Sequence, residues 1–309
     1  MSSVARSAPA GQSSHLLGAL AVLLCGFLWS AGGLFFRMLE NQHFWPIMIW
    51  RFAAVSLFFA GIVAWRERGR LFAFWPRIGW RVFPGAFAFA GASLFFLLAF
   101  DNTTVFNALM MLALQPLIAA ALAWVALREP VKPVTWVAMA VALFGIYLML
   151  ADSLSAGGFL GNVLALCSSF CFAAYTVYNR WLGAADTAPF IMVGGAIGAL
   201  IALCVSLGYG MTVVISAHDV GLCVAMSSLL GSGFVLFNWA LKHVPSAEAL
   251  VLAQTEVIFG PLWVWLVFRE RPTDAALLGG MVLFAAVLVQ AGGGLRRRTK
   301  VIPPPAAQP

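Results

Sequence analysis

Residues 99–129 read AFDNTTVFNALMMLALQPLIAAALAWVALRE, and residues 240–270 read ALKHVPSAEALVLAQTEVIFGPLWVWLVFRE. Each stretch passes from a short polar corner into an apolar run and ends on Arg-Glu. Alanine, leucine and tryptophan also recur at equal spacing, for example Trp124 and Trp265. Only 9% of the chain is charged, so the matched Arg-Glu pairs are far less expected by chance than the matched alanines. The two stretches therefore indicate an internal repeat.

The composition places this repeat in a membrane. Of the 309 residues, 62% are hydrophobic and 9% are charged, whereas soluble domains average about 45–50% apolar and about 25% charged residues. So few charges cannot cover the surface of a water-soluble fold. The five cysteines lie in apolar runs without a Cys-x-x-Cys motif, which indicates small buried side chains and no disulfide or zinc framework. We therefore expect an integral membrane protein.

Apolar runs of about 20 residues, the length that crosses a bilayer, follow one another along the chain. They lie at residues 16–36, 44–65, 82–100, 103–127, 133–151, 159–182, 188–209, 219–241, 247–268 and 275–295. The first is longer than a signal-peptide core of about 7–15 residues, so we expect it to be retained. Strict alternation of a barrel strand is absent. The sequence therefore predicts an all-α membrane protein with ten transmembrane helices.

Lysine and arginine fall mainly on one side of these spans. With the N-terminus in the cytoplasm, roughly 14 basic residues lie inside and 3 outside, as the positive-inside rule requires. We expect a multi-pass protein of a bacterial-type inner membrane with both termini cytoplasmic. This asymmetry accounts for the net charge of +7, so we expect no nucleic-acid partner. The basic, proline-rich tail 296–309 is expected to lie at the anionic leaflet.

The repeat extends to the first span of each half. Gly18, Leu23, Phe27, Ala31 and Arg37 recur as Gly161, Leu166, Phe170, Ala174 and Arg180. The predicted units are residues 1–151 and 152–295, followed by the tail 296–309. Five spans per unit is an odd number, so the second unit enters the membrane in the opposite orientation. Inverted repeats that meet around a midplane site are common in secondary transporters.

These motifs resemble a known family. Residues 99–104, Gln115-Pro116 and the Arg128-Glu129 pair, with their counterparts in residues 240–270, are similar to the EamA repeat of the drug/metabolite transporter superfamily. The resemblance covers nearly the whole chain and implies ten helices in two inverted five-helix units. Length, aromatic content and tail are similar to YddG-like amino-acid exporters. The Glu-Pro pair typical of the family is Gln115-Pro116 in one repeat and Glu256-Val257 in the other.

Polar side chains inside the spans are candidate site residues, because an unpartnered polar group in hydrocarbon is costly. Matched faces with i, i+4, i+8 spacing carry Asn107, Met111 and Gln115 in the fourth span and Glu248, Leu252 and Glu256 in the ninth. Gln115 and Glu256 lie near the bilayer centre on symmetry-related helices. They indicate either a midplane binding site or hydrogen bonds that hold helices together.

Other spans contribute aromatic and polar candidates. The predicted substrate-binding residues are Trp29, Ser30, Met111, Gln115, Tyr175, Tyr178, Asn238, Gln254 and Glu256. Together they would form an aromatic cage with a few polar contacts, which suits a small amphipathic cargo. Tyr178 and Asn238 are equally typical of an interfacial belt. Pro116 and Pro261 are predicted hinges, because proline removes a helical hydrogen bond.

Arg51 is the cation that falls within a span. It could bind a carboxylate of the cargo through its bidentate fork. Because it lies about seven residues from the predicted outer end of its span, we expect it instead to extend to the interface or to pair with a loop acid.

These features favour a secondary transporter that exports a small metabolite, with a neutral or aromatic amino acid as the expected cargo. No Gly-x-x-x-x-Gly-Lys-Ser/Thr loop is present, so no ATP-driven step is expected. The alternative is an exporter of the same superfamily that carries multiple drugs or another metabolite. An intramembrane enzyme is a distant one, since Glu256 lacks a second acid and the four histidines lie at span ends. We expect no cofactor and no metal, a small-molecule substrate, a lipid bilayer as the surroundings, and a monomer.

Overall fold

A computed structural model describes residues 10–40, 43–128, 133–156, 158–183, 186–240, 243–244, 249 and 252–295. The described residues form helices joined by turns and loops, without a strand among them. The helices are α1 (Ala10–Arg37), α2 (Phe44–Arg66), α3 (Trp75–Ile78), α4 (Val82–Asn102), α5 (Val105–Leu112), α6 (Gln115–Leu127), α7 (Pro133–Ala156), α8 (Phe159–Leu182), α9 (Ala188–Gly208), α10 (Ala217–Ala240), α11 (Thr255–Phe268) and α12 (Asp274–Leu295). A 3₁₀ turn, Gly79–Arg81, joins α3 to α4.

The described helices have the length and apolarity of membrane spans. Seven of them reach full spanning length when α5 and α6 are counted as one, and α7, α11 and α12 contribute shorter apolar helices. Large apolar side chains such as Leu57, Val125 and Leu200 are exposed on the outside of the bundle. An apolar surface of this kind is suited to lipid rather than water. The prediction of an all-α membrane protein with ten spans is confirmed.

The helices pack as two inverted units. α1 packs against α10 and α11, and α8 packs in the same way against α4, α5 and α6. α2 packs on α9 and α7 on α12, so each of these helices contacts its own counterpart. Arg37, at the end of α1, donates to the carbonyl of Thr103, and the Thr103 hydroxyl donates to Asn162 near the start of α8. The end of α1 and the start of α8 therefore lie on one side, which confirms the inverted repeat.

The two sides of the bundle are named here by their arginines. The Arg37 end holds the Arg37–Glu270 ion pair, with 3.1 Å between Nε and Oε2. The Arg66 end holds the ion pair of Arg66 with Asp186, with 3.0 Å between Nη1 and Oδ1. The positive-inside prediction places the Arg66 end in the cytoplasm.

Small residues let the paired helices approach closely. A Cβ atom at Gly145 in α7 would lie 2.7 Å from the carbonyl oxygen of Gly279 in α12, and a Cβ atom at Gly279 would meet Gly145 equally closely. Gly195 in α9 is similarly close to the backbone of α2, 2.9 Å from the nitrogen of Ser56. Glycine is needed at these positions because any side chain would collide with the facing backbone. Close packing of this kind holds membrane helices together, since lipid gives no hydrophobic driving force for their association.

The fourth and ninth spans are both interrupted near their middle. In the fourth span α5 ends at Leu112, residues 113–114 form a turn, and α6 begins at Gln115. In the ninth span, Gln254 is a turn residue immediately before α11. Pro116 explains the first break, because it has no N–H to donate to the carbonyl of Leu112 and is favoured in the first turn of a helix.

Pro261 has a different position from Pro116. It lies inside the continuous helix α11, seven residues after the break at Gln254. The turn at the break is held by the hydroxyl of Thr255, which donates to the carbonyl of Leu252 at 2.9 Å. The break of the ninth span therefore lies at Gln254 and not at Pro261, whereas Pro116 coincides with the break of its span. The predicted hinges at Pro116 and Pro261 stay predictions.

Candidate functional site

Each interrupted helix is held by the first helix of the other repeat. Ser169 of α8 donates its hydroxyl to the carbonyl of Met111 at 2.8 Å, at the break of the fourth span. Gly26 of α1 occupies the corresponding place at the ninth span. A Cβ atom there would overlap the Thr255 hydroxyl oxygen and lie 2.9 Å from the carbonyl oxygen of Ala253. The two breaks are thus built from symmetry-related contacts across the repeat boundary.

Gln115 and Glu256 follow these breaks directly. Gln115 is the first residue of α6, and Glu256 lies in the first turn of α11. Both side chains are partly buried, and the described part of the chain gives neither of them a hydrogen bond or an ion pair. The N-terminus of a helix carries partial positive charge, which stabilises a carboxylate such as Glu256. Cys25 of α1 is close enough to interact electrostatically with it.

An aromatic cluster lies between the two repeats, centred on Phe234 of α10. Its members, named here the Phe234 cluster, are Phe234, Trp29, Phe59, Phe89, Phe172 and Tyr175. The ring centroids of Trp29 and Phe234 are 5.0 Å apart, and the indole Nε1 of Trp29 donates to the carbonyl of Leu230. The cluster draws side chains from α1, α2, α4, α8 and α10, so it lies where helices of both repeats meet.

Of the six members of the Phe234 cluster, the sequence predicted Trp29 and Tyr175 as site residues. It did not single out the four phenylalanines, Phe59, Phe89, Phe172 and Phe234. The chain contains 26 phenylalanines, and the sequence pattern does not separate those that face lipid from those that face the interior. Only the contact of Phe234 with four other rings distinguishes it. No local sequence signal could have identified these residues.

Ser30 takes part in a contact between α1 and α11. Its hydroxyl donates to the carbonyl of Phe27 at 2.6 Å and accepts from the indole Nε1 of Trp263 at 2.9 Å. The rings of Phe27, Phe259 and Trp263 pack together around it. Because its donor is already used and the side chain is buried, Ser30 is placed to join two helices, and a role as donor to the cargo would require this contact to break.

The remaining predicted residues fall into two groups. Met111 is fully buried next to the break of the fourth span, and Gln254 is partly buried at the break of the ninth. Tyr178 and Asn238 lie at the Arg66 end. The Tyr178 hydroxyl donates to the carbonyl of Arg81 at 2.8 Å, and the exposed Asn238 donates to the Thr187 hydroxyl at 3.1 Å. Asn238 is exposed, as the interfacial interpretation expects, whereas Tyr178 also packs against the hydrophobic cluster that contains Tyr175 and Phe234.

Glu270, the acid of the second matched Arg-Glu pair, has a structural role at the Arg37 end. Arg37 bonds to Glu270 and also donates from Nη2 to the carbonyl of Thr103 at 3.0 Å. The other carboxylate oxygen of Glu270 accepts the backbone N–H of Val105 at 2.9 Å. One ion pair thus joins α1, the start of α5 and the end of α11. Glu129, the counterpart of Glu270, lies outside the described residues.

A metal centre is not supported by this arrangement. In the part of the chain that the structure describes, no group of three or more His, Cys, Asp or Glu side chains could hold a metal ion. The candidate site is a set of polar groups at two helix breaks. The Phe234 cluster begins one helical turn further along α1 and α8, because Trp29 follows Gly26 by three residues and Phe172 follows Ser169 by three. It can bind a small ligand through hydrogen bonds, one carboxylate and aromatic contacts.

Comparisons with known proteins agree with this architecture. The EamA-like transporter family matches residues 16–151 and again residues 159–291. An uncharacterized transporter of Archaeoglobus fulgidus is 27% identical over 208 residues, which are 63% of this chain and 70% of the relative. An uncharacterized transporter of Methanothermobacter thermautotrophicus is 22% identical over 205 residues, or 64% of this chain, and the match spans 60% of that relative's length.

A solved crystal structure shares the fold. It aligns with 93% of this chain and with its own whole length, at a TM-score of 0.63 and 16% sequence identity. Because the family matches both repeats, the resemblance inferred from the motifs is confirmed at the level of the family. The chain belongs to the EamA-like transporter family of the drug/metabolite transporter superfamily and is a multi-pass membrane transporter.

Proposed function

We propose that this transporter is a secondary carrier that exports small metabolites, with neutral amino acids, aromatic ones included, as its cargo. The observation that carries the proposal is the pair of symmetry-related helix breaks, each followed by a polar side chain without a partner among the described residues. Unwound backbone and half-helix termini at the midplane of inverted repeats are the usual position of transporter binding sites.

The chemistry of the site supports a zwitterionic cargo with an apolar side chain. Glu256 and Gln115 offer acceptors for an ammonium group, and amide N–H groups offer donors for a carboxylate. The Phe234 cluster supplies an aromatic surface, and Met111 lies next to the break of the fourth span. Among the described residues, the two breaks bring together none of the several cations that recognition of a phosphorylated sugar usually recruits. Neutral amino acids therefore suit it better than phosphorylated metabolites.

Two sources of energy are open to such a carrier. The cargo can run down its own gradient, or a proton can move in the opposite direction through Glu256, the carboxylate at the break of the ninth span. Alternating access would exchange two arrangements of the inverted repeats, with the breaks at residues 113–114 and at Gln254 as hinges. We expect affinities in the high micromolar to millimolar range, about 4–6 kcal/mol of binding.

Orientation forms part of the proposal. The distribution of lysine and arginine supports an inner-membrane protein with both termini in the cytoplasm. Reporter fusions at residue 309 and in the loop at residues 66–81 should both report cytoplasm. A periplasmic signal at either position contradicts this orientation.

The function is tested with purified protein in liposomes and a panel of labelled amino acids, sugar phosphates and organic cations. We expect flux of neutral amino acids and none of sugar phosphates. In Glu256→Gln the flux should fall or lose its dependence on pH, while the thermal midpoint stays within a few degrees. The matched control is Glu40→Gln, because the Glu40 side chain is 71% exposed at the Arg37 end.

Two outcomes contradict the proposal. Flux of phosphorylated sugars or of hydrophobic cations without flux of amino acids assigns the chain to another branch of the superfamily. Unchanged flux of Glu256→Gln at every pH removes proton coupling through this residue and leaves it a structural role.

A further inference from the structure

Arg51 of α2 carries a buried charge that none of the described residues pairs. Its side chain is 5% exposed, so it does not extend to the interface as the sequence suggested. Its Nε and Nη1 atoms are buried without a hydrogen-bond partner, and no acid of the described residues forms an ion pair with it. The expected pairing with a loop acid is therefore absent from the described part of the chain.

The position of Arg51 relates it to the candidate site. It lies four residues before the middle of α2, about 6 Å along the helix axis. Its helix face is packed on α10: the Ser227 hydroxyl donates to the Arg51 carbonyl at 3.0 Å, and the thiol of Cys223 is an electrostatic neighbour of the guanidinium. The same two helices supply Phe59 and Phe234 to the Phe234 cluster, about two turns further along.

The acid nearest in sequence on α10 is already engaged. Asp219, one turn before Cys223, accepts the backbone N–H of Glu40 at 3.0 Å and lies 3.5 Å from the ring nitrogen Nδ1 of His218. A guanidinium removed from water without a counter-charge is strongly unfavourable, so such a group within a membrane span marks a site that a ligand or another conformation completes. The planar fork of arginine matches a carboxylate through two parallel hydrogen bonds.

We propose that Arg51 is the carboxylate-binding residue of the transport pathway, so that a free carboxylate is the feature that every good cargo of this transporter shares. This inference rests on the proposed function and sharpens it. Arg51 lies on α2, which packs on α9 and α10, and there it selects the carboxylate of the cargo. Glu256 and Gln115, at the helix breaks, select its ammonium group at a separate point of the pathway. Cargo that lacks a carboxylate then leaves a buried cation unpaired and is rejected.

The test uses the full chain in liposomes of phosphatidylcholine and phosphatidylethanolamine, which exclude anionic lipid headgroups as the ligand. Uptake of labelled phenylalanine is measured in competition with phenylalaninamide, which lacks the carboxylate, and with 3-phenylpropanoate, which lacks the amine. The wild type should prefer phenylalanine over the amide at least tenfold. In Arg51→Gln, the affinity for phenylalanine should fall at least tenfold and the preference over the amide should disappear.

Two further variants separate binding from folding. Arg66→Gln is the matched control, because Arg66 lies on the same helix but at the exposed end of that helix. This variant should prefer phenylalanine over phenylalaninamide as strongly as the wild type does. Arg51→Lys keeps the positive charge but lacks the planar guanidinium. It should therefore still prefer phenylalanine over phenylalaninamide, but bind phenylalanine more weakly than the wild type. The thermal midpoint of Arg51→Gln should equal or exceed that of the wild type, because the substitution removes a buried unpaired charge.

The inference is overturned if Arg51→Gln takes up phenylalanine with unchanged affinity and unchanged preference over the amide. If Arg51→Gln does not fold, the same result with Arg51→Lys overturns it. Amino-acid uptake by the wild type in that experiment leaves the proposed function standing. A second outcome is that the wild type transports no amino acid, while 3-phenylpropanoate raises the thermal midpoint of the wild type and leaves that of Arg51→Gln unchanged. That result supports Arg51 as a carboxylate site and overturns the amino-acid cargo.

Discussion

The fourth and ninth spans share one architecture and differ in how their breaks are secured. The break of the fourth span is buried at Ala113 and Leu114 and receives a hydrogen bond from Ser169, and Pro116 follows it. The break of the ninth span is only partly buried at Gln254 and is packed against the bare backbone of Gly26. It is followed by an acid, not by an amide and a proline.

The difference makes the two halves of the symmetric scaffold inequivalent. Two inverted repeats alone would give two equivalent halves of the site. Here the break of the fourth span receives a hydroxyl from the other repeat and is followed by a proline. The break of the ninth span is held by the hydroxyl of its own Thr255 and by packing against Gly26, and it carries the charge. We infer that the ninth span is the half that responds to cargo or proton, and that the fourth span serves as its fixed counterpart.

The largest effect is expected from Gly26→Val, which places a branched side chain against the break of the ninth span. It would overlap Thr255 and the carbonyl of Ala253, so the helices must separate. Overpacking of this kind costs about 1–3 kcal/mol, and transport should be abolished even where the protein folds. Thermal midpoint and uptake in liposomes measure both effects.

The control is Gly32→Ala on the same helix, since a Cβ atom at Gly32 meets nothing within 4 Å. This variant should behave as the wild type. Equal behaviour of the two variants would show that α1 does not support the break of the ninth span.

A second test exchanges the polar residues between the two breaks. The double variant Gln115→Glu with Glu256→Gln keeps the composition of the site but moves its charge to the buried break. If the two breaks are not equivalent, uptake should stay at least tenfold below that of the wild type. The acid then lies at the break of the fourth span, which is fixed by the hydrogen bond from Ser169. Uptake is compared at matched amounts of folded protein. Full recovery of uptake would contradict the asymmetry between the spans.

Ser169→Ala should have a smaller effect. It removes the hydrogen bond to the carbonyl of Met111 at 2.8 Å, which contributes about 1 kcal/mol to stability. Uptake should stay within about twofold of the wild type if the fourth span only serves as a fixed support. Ser206→Ala is the matched control, because the buried Ser206 hydroxyl has no partner among the described residues and its removal should cost nothing. A larger loss of stability in Ser206→Ala than in Ser169→Ala would contradict this prediction.

The smallest effect on transport is expected from Pro261→Ala. Pro261 lies within the continuous helix α11, so alanine can restore a helical hydrogen bond without changing the break at Gln254. The thermal midpoint should rise or stay constant, with uptake within about twofold of the wild type. A strong loss of transport would instead support the predicted hinge at Pro261.

Much of the fold follows from local sequence. Apolar runs long enough to cross a bilayer predict the ten spans, because every backbone group in lipid must be bonded within its own helix. The odd number of spans per repeat predicts the inversion, and the matched Arg-Glu pairs predict the repeat itself. Gln115 and Glu256 were also identified from the sequence, because a polar side chain stands out in an apolar run.

The tertiary structure alone decided which side chains meet. The Phe234 cluster could not be predicted, because lipid and protein interior are equally apolar and place no distinct pattern on phenylalanine. Ser30 is occupied by Trp263, and Arg51 is buried without a partner among the described residues, and both facts depend on neighbours more than a hundred residues away in the chain. Hydropathy determines that a helix lies in the membrane, whereas only packing between helices determines which of its faces becomes the site.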